Sequence, residues 1–328
     1  MRRSVAIVTA LVGCGGSSAT PDAMIDARVV DPNLLSSTDL YADFAARTLA
    51  PDVHPFTPTY ALWSDGAVKD RWLWLPPGTQ IDSRDAAHWQ LPVGAKLWKQ
   101  FAAPDGTLLE TRLIERIAAT GDDDVDYRAG SFAWRDDESD ADLVPLGRDN
   151  VRGTDHDIPK ATACRTCHTG EPGFALGLSA LQLSEPGPGL RLADAAGLLS
   201  TAVAAYSVPG DVTTRTALGY LHANCGHCHN PNGAAWPDVN LHLQLDLTAA
   251  TPDQTTTYVT TMGIMLTRFQ HPGITERVAP GNADGSGLLY RMTVRDPGVP
   301  LSEQMPPIAT ERTDATGIAA VRAWIEAL

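Results

Sequence analysis

The sequence predicts a multidomain chain, with an N-terminal antiparallel β-sandwich-like domain over residues 37–150 and a mainly α region over residues 151–328. Three observations predict it. Six of the eight tryptophans lie between 37 and 150, in short alternating runs separated by turn residues. Beyond 208, apolar residues recur at helical spacing ahead of one Cys-rich motif and again at the C-terminus. The 328 residues, at about 100–200 per domain, exceed one ordinary domain.

The first element is an export signal. Met1-Arg2-Arg3 is a basic start and Val5 to Val12 a short apolar core. The run ends in Leu11-Val12-Gly13-Cys14, which resembles a bacterial lipobox. That resemblance implies cleavage after residue 13 and acylation of Cys14, with residues 14–36 as a tether; an ordinary secretory signal is the alternative.

Residues 37–150 carry the strand signals. A lead-in helix is expected over 37–47. Alternating runs follow at Arg71–Leu75, Lys96–Phe101, Thr111–Ile117 and Tyr127–Trp134, with turns at Pro76-Pro77-Gly78 and Pro104-Asp105-Gly106. Most of the tryptophans are expected in the core. The acidic runs Asp122–Asp126 and Asp136–Asp140 lack the spacing and glycine of a calcium loop and are expected as solvated hairpin loops.

Four of the five cysteines form one motif twice: Cys164-Arg165-Thr166-Cys167-His168 and Cys225-Gly226-His227-Cys228-His229. C-x-x-C-H is the c-type haem attachment signature. Two thiols add across the two vinyl groups of the porphyrin, and the adjacent His falls beneath the iron as proximal ligand. A dithiol or disulfide, or zinc held by four Cys and two His, are the alternatives. Two copies behind an export signal favour two covalently bound haem c groups, with Cys164, Cys167, Cys225 and Cys228 as attachment points and His168 and His229 on the irons.

Around the second motif, residues 213–224 predict a helix running into Cys225, and Asp314 predicts the cap of a closing helix through Leu328. This order, with Met305-Pro306-Pro307 before the last helix, resembles a class I cytochrome c domain over residues 208–328. The resemblance implies His229 and Met305 as the axial pair, with Met292 as the alternative to Met305.

The first motif sits in a segment, 151–207, too short to wrap a haem alone, and Pro159 bars a long helix into Cys164. Its site must borrow walls from the rest of the chain. His156 is the nearest candidate for its sixth ligand, and a solvated loop histidine is the equal alternative. His54, His88, His271, Met262 and Met265 are more distant options, and a five-coordinate iron another. His222, His227 and His242 are expected to serve packing or surface roles.

Together with Tyr60–Gly66, Gly177–Leu183 and Leu218–Cys225, these motifs resemble an exported bacterial dihaem c-type cytochrome family with a β-rich N-terminal part. The resemblance implies architecture; two covalently held haems behind a lipobox predict electron transfer at the periplasmic face of a bacterial membrane, by a protein anchored only through its lipid. The net charge of −14 disfavours nucleic acid and suits a redox protein partner with a basic docking surface. Two other classes remain open: a dihaem peroxidase or dehydrogenase with an open first haem, and a glycan- or partner-binding module with redox-sensing haems. Neither a Ser-His-Asp signature nor a phosphate loop supports a hydrolase or transferase.

Overall fold

Alternating side chains along Val68–Trp74 (β4), Lys96–Ala102 (β5), Leu108–Arg116 (β6) and Tyr127–Trp134 (β7) give one sheet two buried faces. The computed structural model describes residues 31–185, 187–236, 238–295, 303–308 and 310–328. Cys14, the signal segment and most of the tether therefore lie outside the described residues. Two short strands, Tyr41–Asp43 (β1) and Thr48–Leu49 (β2), pair with each other. His54–Pro55 (β3) and Ala141–Leu143 (β8) complete a six-stranded antiparallel meander in the order β3-β4-β5-β6-β7-β8. The turn between β5 and β6 closes on Gly106, whose φ of 93° no side-chain-bearing residue adopts easily.

One face of the meander presents Trp72, Trp98, Phe132 and Trp134 against Leu35, Leu40 and Val53. The other presents Leu73 and Leu97, with Ile114 and Ala129. The expected sandwich would cover this second face with another sheet. Instead Phe174, Ala175, Leu178, Ala180, Leu183, Leu190, Ala195 and Leu199 cover it. These residues come from loops and from the short helix Ala180–Leu183 (α3). Alternation marks a buried face but not what buries it.

The mainly α, class I cytochrome c-like expectation for the C-terminal region is also overturned. Helix makes up 24% of the structure and strand 20%. The helix into the second motif is present as Val212–Asn224 (α4), capped by Asp211, which accepts the Thr214 N–H at 2.8 Å. The closing helix is Ala315–Glu326 (α7), capped by Asp314. Among the described residues between them stand two short helices, Thr256–Thr261 (α5) and Gly287–Thr293 (α6), and a 3-10 turn at Pro252–Gln254, joined by irregular chain. Leu218, Leu221, Leu289, Met292, Val321, Trp324 and Ile325 form the core of this part. It is a small helical cluster, with loops supplying the rest of its bulk.

The acidic run after β6 is a second departure. Asp123–Asp126 is a helical turn (α1), and Asp126 is fully buried, accepting from Thr120 N–H and Oγ1 and from Gly121 N–H. A carboxylate with three donors needs no solvent.

Glu110 on β6 is fully buried as well. It accepts from Arg112 Nε at 2.6 Å and Nη2 at 2.9 Å, and lies 3.0 Å from His156 Nε2. Burial alone would raise its pKa, but Arg112 and His156 overcome burial and hold it at about 2. A depressed carboxyl contributes stability above its ordinary range and loses that contribution as pH falls toward 2. Glu110→Gln should therefore cost about 3–5 kcal/mol at neutral pH. Urea unfolding at a series of pH values should also show a flatter acid limb for the variant; parallel limbs would place the titration elsewhere.

Candidate functional site

The first motif is a single helical turn, Cys164–His168 (α2), pinned from several directions. Ala161 N–H donates to Pro145 O at 3.0 Å just ahead of it. Arg165 binds the Asp124 carboxylate and, at 2.6 Å, the Asp124 carbonyl. Asp123 accepts the Gly173 N–H at 3.2 Å. The acidic run thus holds the motif in place, which charge patterning alone does not reveal. Glu171 completes the frame, 2.8 Å from His88 Nδ1 and 2.6 Å from Gln244 Nε2.

His168 Nδ1 lies 2.7 Å from Phe174 O. A carbonyl only accepts, so the proton sits on Nδ1 and Nε2 keeps its lone pair. Burial pushes the ring down to about 4 against that hydrogen bond, so it is neutral at physiological pH. This is the state a metal ligand needs.

Cys164, Cys167 and His168 open onto a cavity of about 380 Å³. Leu97, Ile114 and Ala129 of the sheet line it, as do Arg71, Lys99 and Arg112. Burial, with the Arg71 and Arg112 charges, pushes Lys99 well below its usual value. His222 and His227, from the second motif's surroundings, reach the same cavity. His222 Nδ1 accepts the Leu245 N–H at 3.1 Å, so its proton sits on Nε2, the opposite tautomer to His168.

The second motif follows α4 and packs against the first. A Cβ on Gly170 would lie 2.0 Å from His227 O, so the two backbones approach as only glycine permits. Asn230 Nδ2 donates to Gly170 O at 3.0 Å and to Gly226 O at 2.7 Å. The donor atoms of Cys167, His227 and Cys228 consequently fall within 4.8 Å of one another. A hydrogen bond with the Cys228 thiol, helped by His227 beside it, lowers the Cys167 thiol against the effect of burial. Burial pushes Cys225 up to about 12. The inward placement of His227 is the feature sequence reasoning missed, since the x positions of the motif carry no spacing signal.

His229 Nδ1 is buried and has no hydrogen-bond partner among the described residues. Burial, then the Arg291 charge, pushes it down to about 4. Met305 lies near the same arginine, its N–H donating to Arg291 O at 2.9 Å. Met292 is buried in the helical core. His156 is not brought to the first motif's cavity. Its Nε2 faces Glu110, its ring sits 5.1 Å from Phe101, and it lines a neighbouring cavity of about 460 Å³ that shares Arg112, Pro159 and Lys160 with the first. His88 is taken by Glu171, and the His271 ring packs tilted against Tyr290 at 4.1 Å between ring centroids.

The first site fits a covalently attached haem on its donor set, its His168 tautomer and its cavity. The second has the same donor set, with the unpartnered His229 Nδ1 beside it; neither cavity is lined by Cys225 or His229. No family model, curated protein or solved structure matches the chain. Among the described residues no helix is long and apolar enough to cross a membrane.

Gly170→Ala tests the seating of the two motifs. The methyl would meet backbone, which cannot swing aside, so a loss of about 1–3 kcal/mol is expected in urea unfolding. Unchanged stability would mean that the two turns are not in contact.

Proposed function

We propose that this chain is a dihaem c-type cytochrome that passes single electrons between two attached haems and an external redox protein. The observation that supports it most is the side-by-side seating of the two C-x-x-C-H motifs, with Cys167 and Cys228 in one cluster. A haem iron stores one electron at a time, and thioether bonds keep the group from leaving. Adjacent thioethers would bring the two conjugated edges together, so that an electron moves between them without diffusion of either group. Cys164 and Cys167 hold the first haem and His168 presents Nε2 to its iron. Cys225 and Cys228 would hold the second, with His229 and Met305 as the residues offered to its iron. The chain works at the periplasmic face of a bacterial membrane, anchored at Cys14, and its acidic balance draws a basic partner.

The same cluster favours a second reading, in which Cys167, His227 and Cys228 bind a transition metal such as zinc. One measurement separates the two. A pyridine haemochrome assay with intact mass on the exported protein should give two haems per chain, falling to one in the Cys164→Ala/Cys167→Ala double variant. Absence of haem, together with one equivalent of metal that Cys228→Ser releases, would replace the cytochrome reading with the metal site.

A further inference from the structure

We propose that Arg71, Lys99 and Arg112 form a clamp for the two carboxylates of the first haem, a site that rests on the haem reading of Cys164–His168. The sheet register sets the three cations in one row, Arg71 opposite Lys99 and Lys99 opposite Arg112. Directly opposite side chains stand about 4.5–5.5 Å apart at Cβ, where like charges repel. Removal from water adds to the cost unless an anion sits among them.

The protein supplies too few anions for this row. Arg112 is paired with Glu110, at 2.6 and 2.9 Å, and that carboxylate also serves His156. Among the described residues neither Arg71 nor Lys99 has a carboxylate within ion-pair distance. Lys99 rests its ammonium 4.7 Å from the centre of the Phe101 ring, and Arg112 its guanidinium 4.6 Å from the same ring. All three cations line the cavity of Cys164, Cys167 and His168.

Beside the cationic row lies an apolar one. Leu97, Ile114 and Ala129 occupy one register row on the same face and line the same cavity. The floor is therefore an apolar band next to a cationic band. A small inorganic anion would satisfy the second and leave the first uncovered. A flat, largely apolar molecule with two carboxylates on one edge matches both, and a haem has that form.

The test is a potentiometric titration of the full chain carrying its haems, comparing wild type with Lys99→Gln and Arg71→Gln. Loss of a cation leaves the propionate charge free to stabilise ferric iron, so one of the two potentials should fall. That potential should also become pH-dependent in the weakly acidic range, where the released carboxyl titrates. Lys99→Arg should restore wild-type behaviour, and Arg128→Gln, on the opposite face of the sheet, should move neither potential. A Lys99→Gln chain that loads one haem while Lys99→Arg loads two would equally support the clamp. Two loaded haems with both potentials and their pH dependence unchanged in Lys99→Gln and Arg71→Gln would overturn the clamp and leave the haem reading standing. A wild-type chain without haem would overturn both.

Discussion

The contact on which the rest of the structure turns is a backbone one, where the loop after His168 meets the turn inside the second motif at Gly170 and His227. Only a residue without a side chain allows it. The Asn230 amide then bridges the two turns through Gly170 O and Gly226 O. Everything chemical follows from this seating. It sets Cys167 beside Cys228, turns His227 inward, and lets the second motif form one wall of the first motif's cavity. Two segments about sixty residues apart become a single site because one methyl group is missing.

The meander serves that site as a floor with two unlike faces. One is a buried, tryptophan-lined surface, with Trp98 Nε1 satisfied by Thr38 Oγ1 at 3.1 Å and Trp134 Nε1 by Thr111 Oγ1 at 3.0 Å. The other carries charge into the interior. Glu110 has the strongest partners on that face, and its bonds to Arg112 and His156 tie the sheet to the segment leading into the first motif. Arg165 on Asp124 ties the same segment from the other side. The first site is thus assembled from the sheet, the acidic turn and the second motif. A 57-residue segment too short to build a cavity alone takes its walls from the rest of the chain.

What was legible in the sequence was local. The C-x-x-C-H spacing, the Asp314 cap, the Pro104–Gly106 turn and the alternating strands each depend on residues a few positions apart. What was not legible depended on partners far along the chain. The pleat of Leu97 and Ile114 announces a buried face but carries no sign that residues 174–199 cover it. His156 stands close to Cys164 in sequence, yet a carboxylate 46 residues upstream claims its ring nitrogen. The run Asp122–Asp126 has the composition of a solvated loop, and only the donors Thr120 and Gly121 make Asp126 a buried residue. The helices flanking the second motif were readable, one from its apolar spacing and one from its Asp314 cap, while the irregular chain between them, which decides the fold, has no periodicity to read.

The segment Tyr60–Gly66 binds the distant parts of the chain together. Tyr60 N–H donates to Gln182 Oε1 at 2.9 Å, and its ring fills the space beside Gly219. Trp63 N–H donates to Asn224 Oδ1 at 2.6 Å, 161 positions later, and Trp63 Nε1 to Arg312 O at 3.0 Å, 249 positions later. Asp65 accepts from Thr310 Oγ1 and from the Arg312 N–H. Such a fastening cannot close until almost the whole polypeptide has emerged, and contacts of that sequence separation form late in folding. Until then the chain is an open clasp, with the thiols of both motifs accessible. The last strap to be drawn closes over the cavity of Cys164, Cys167 and His168, which Leu62 and Ile308 also line.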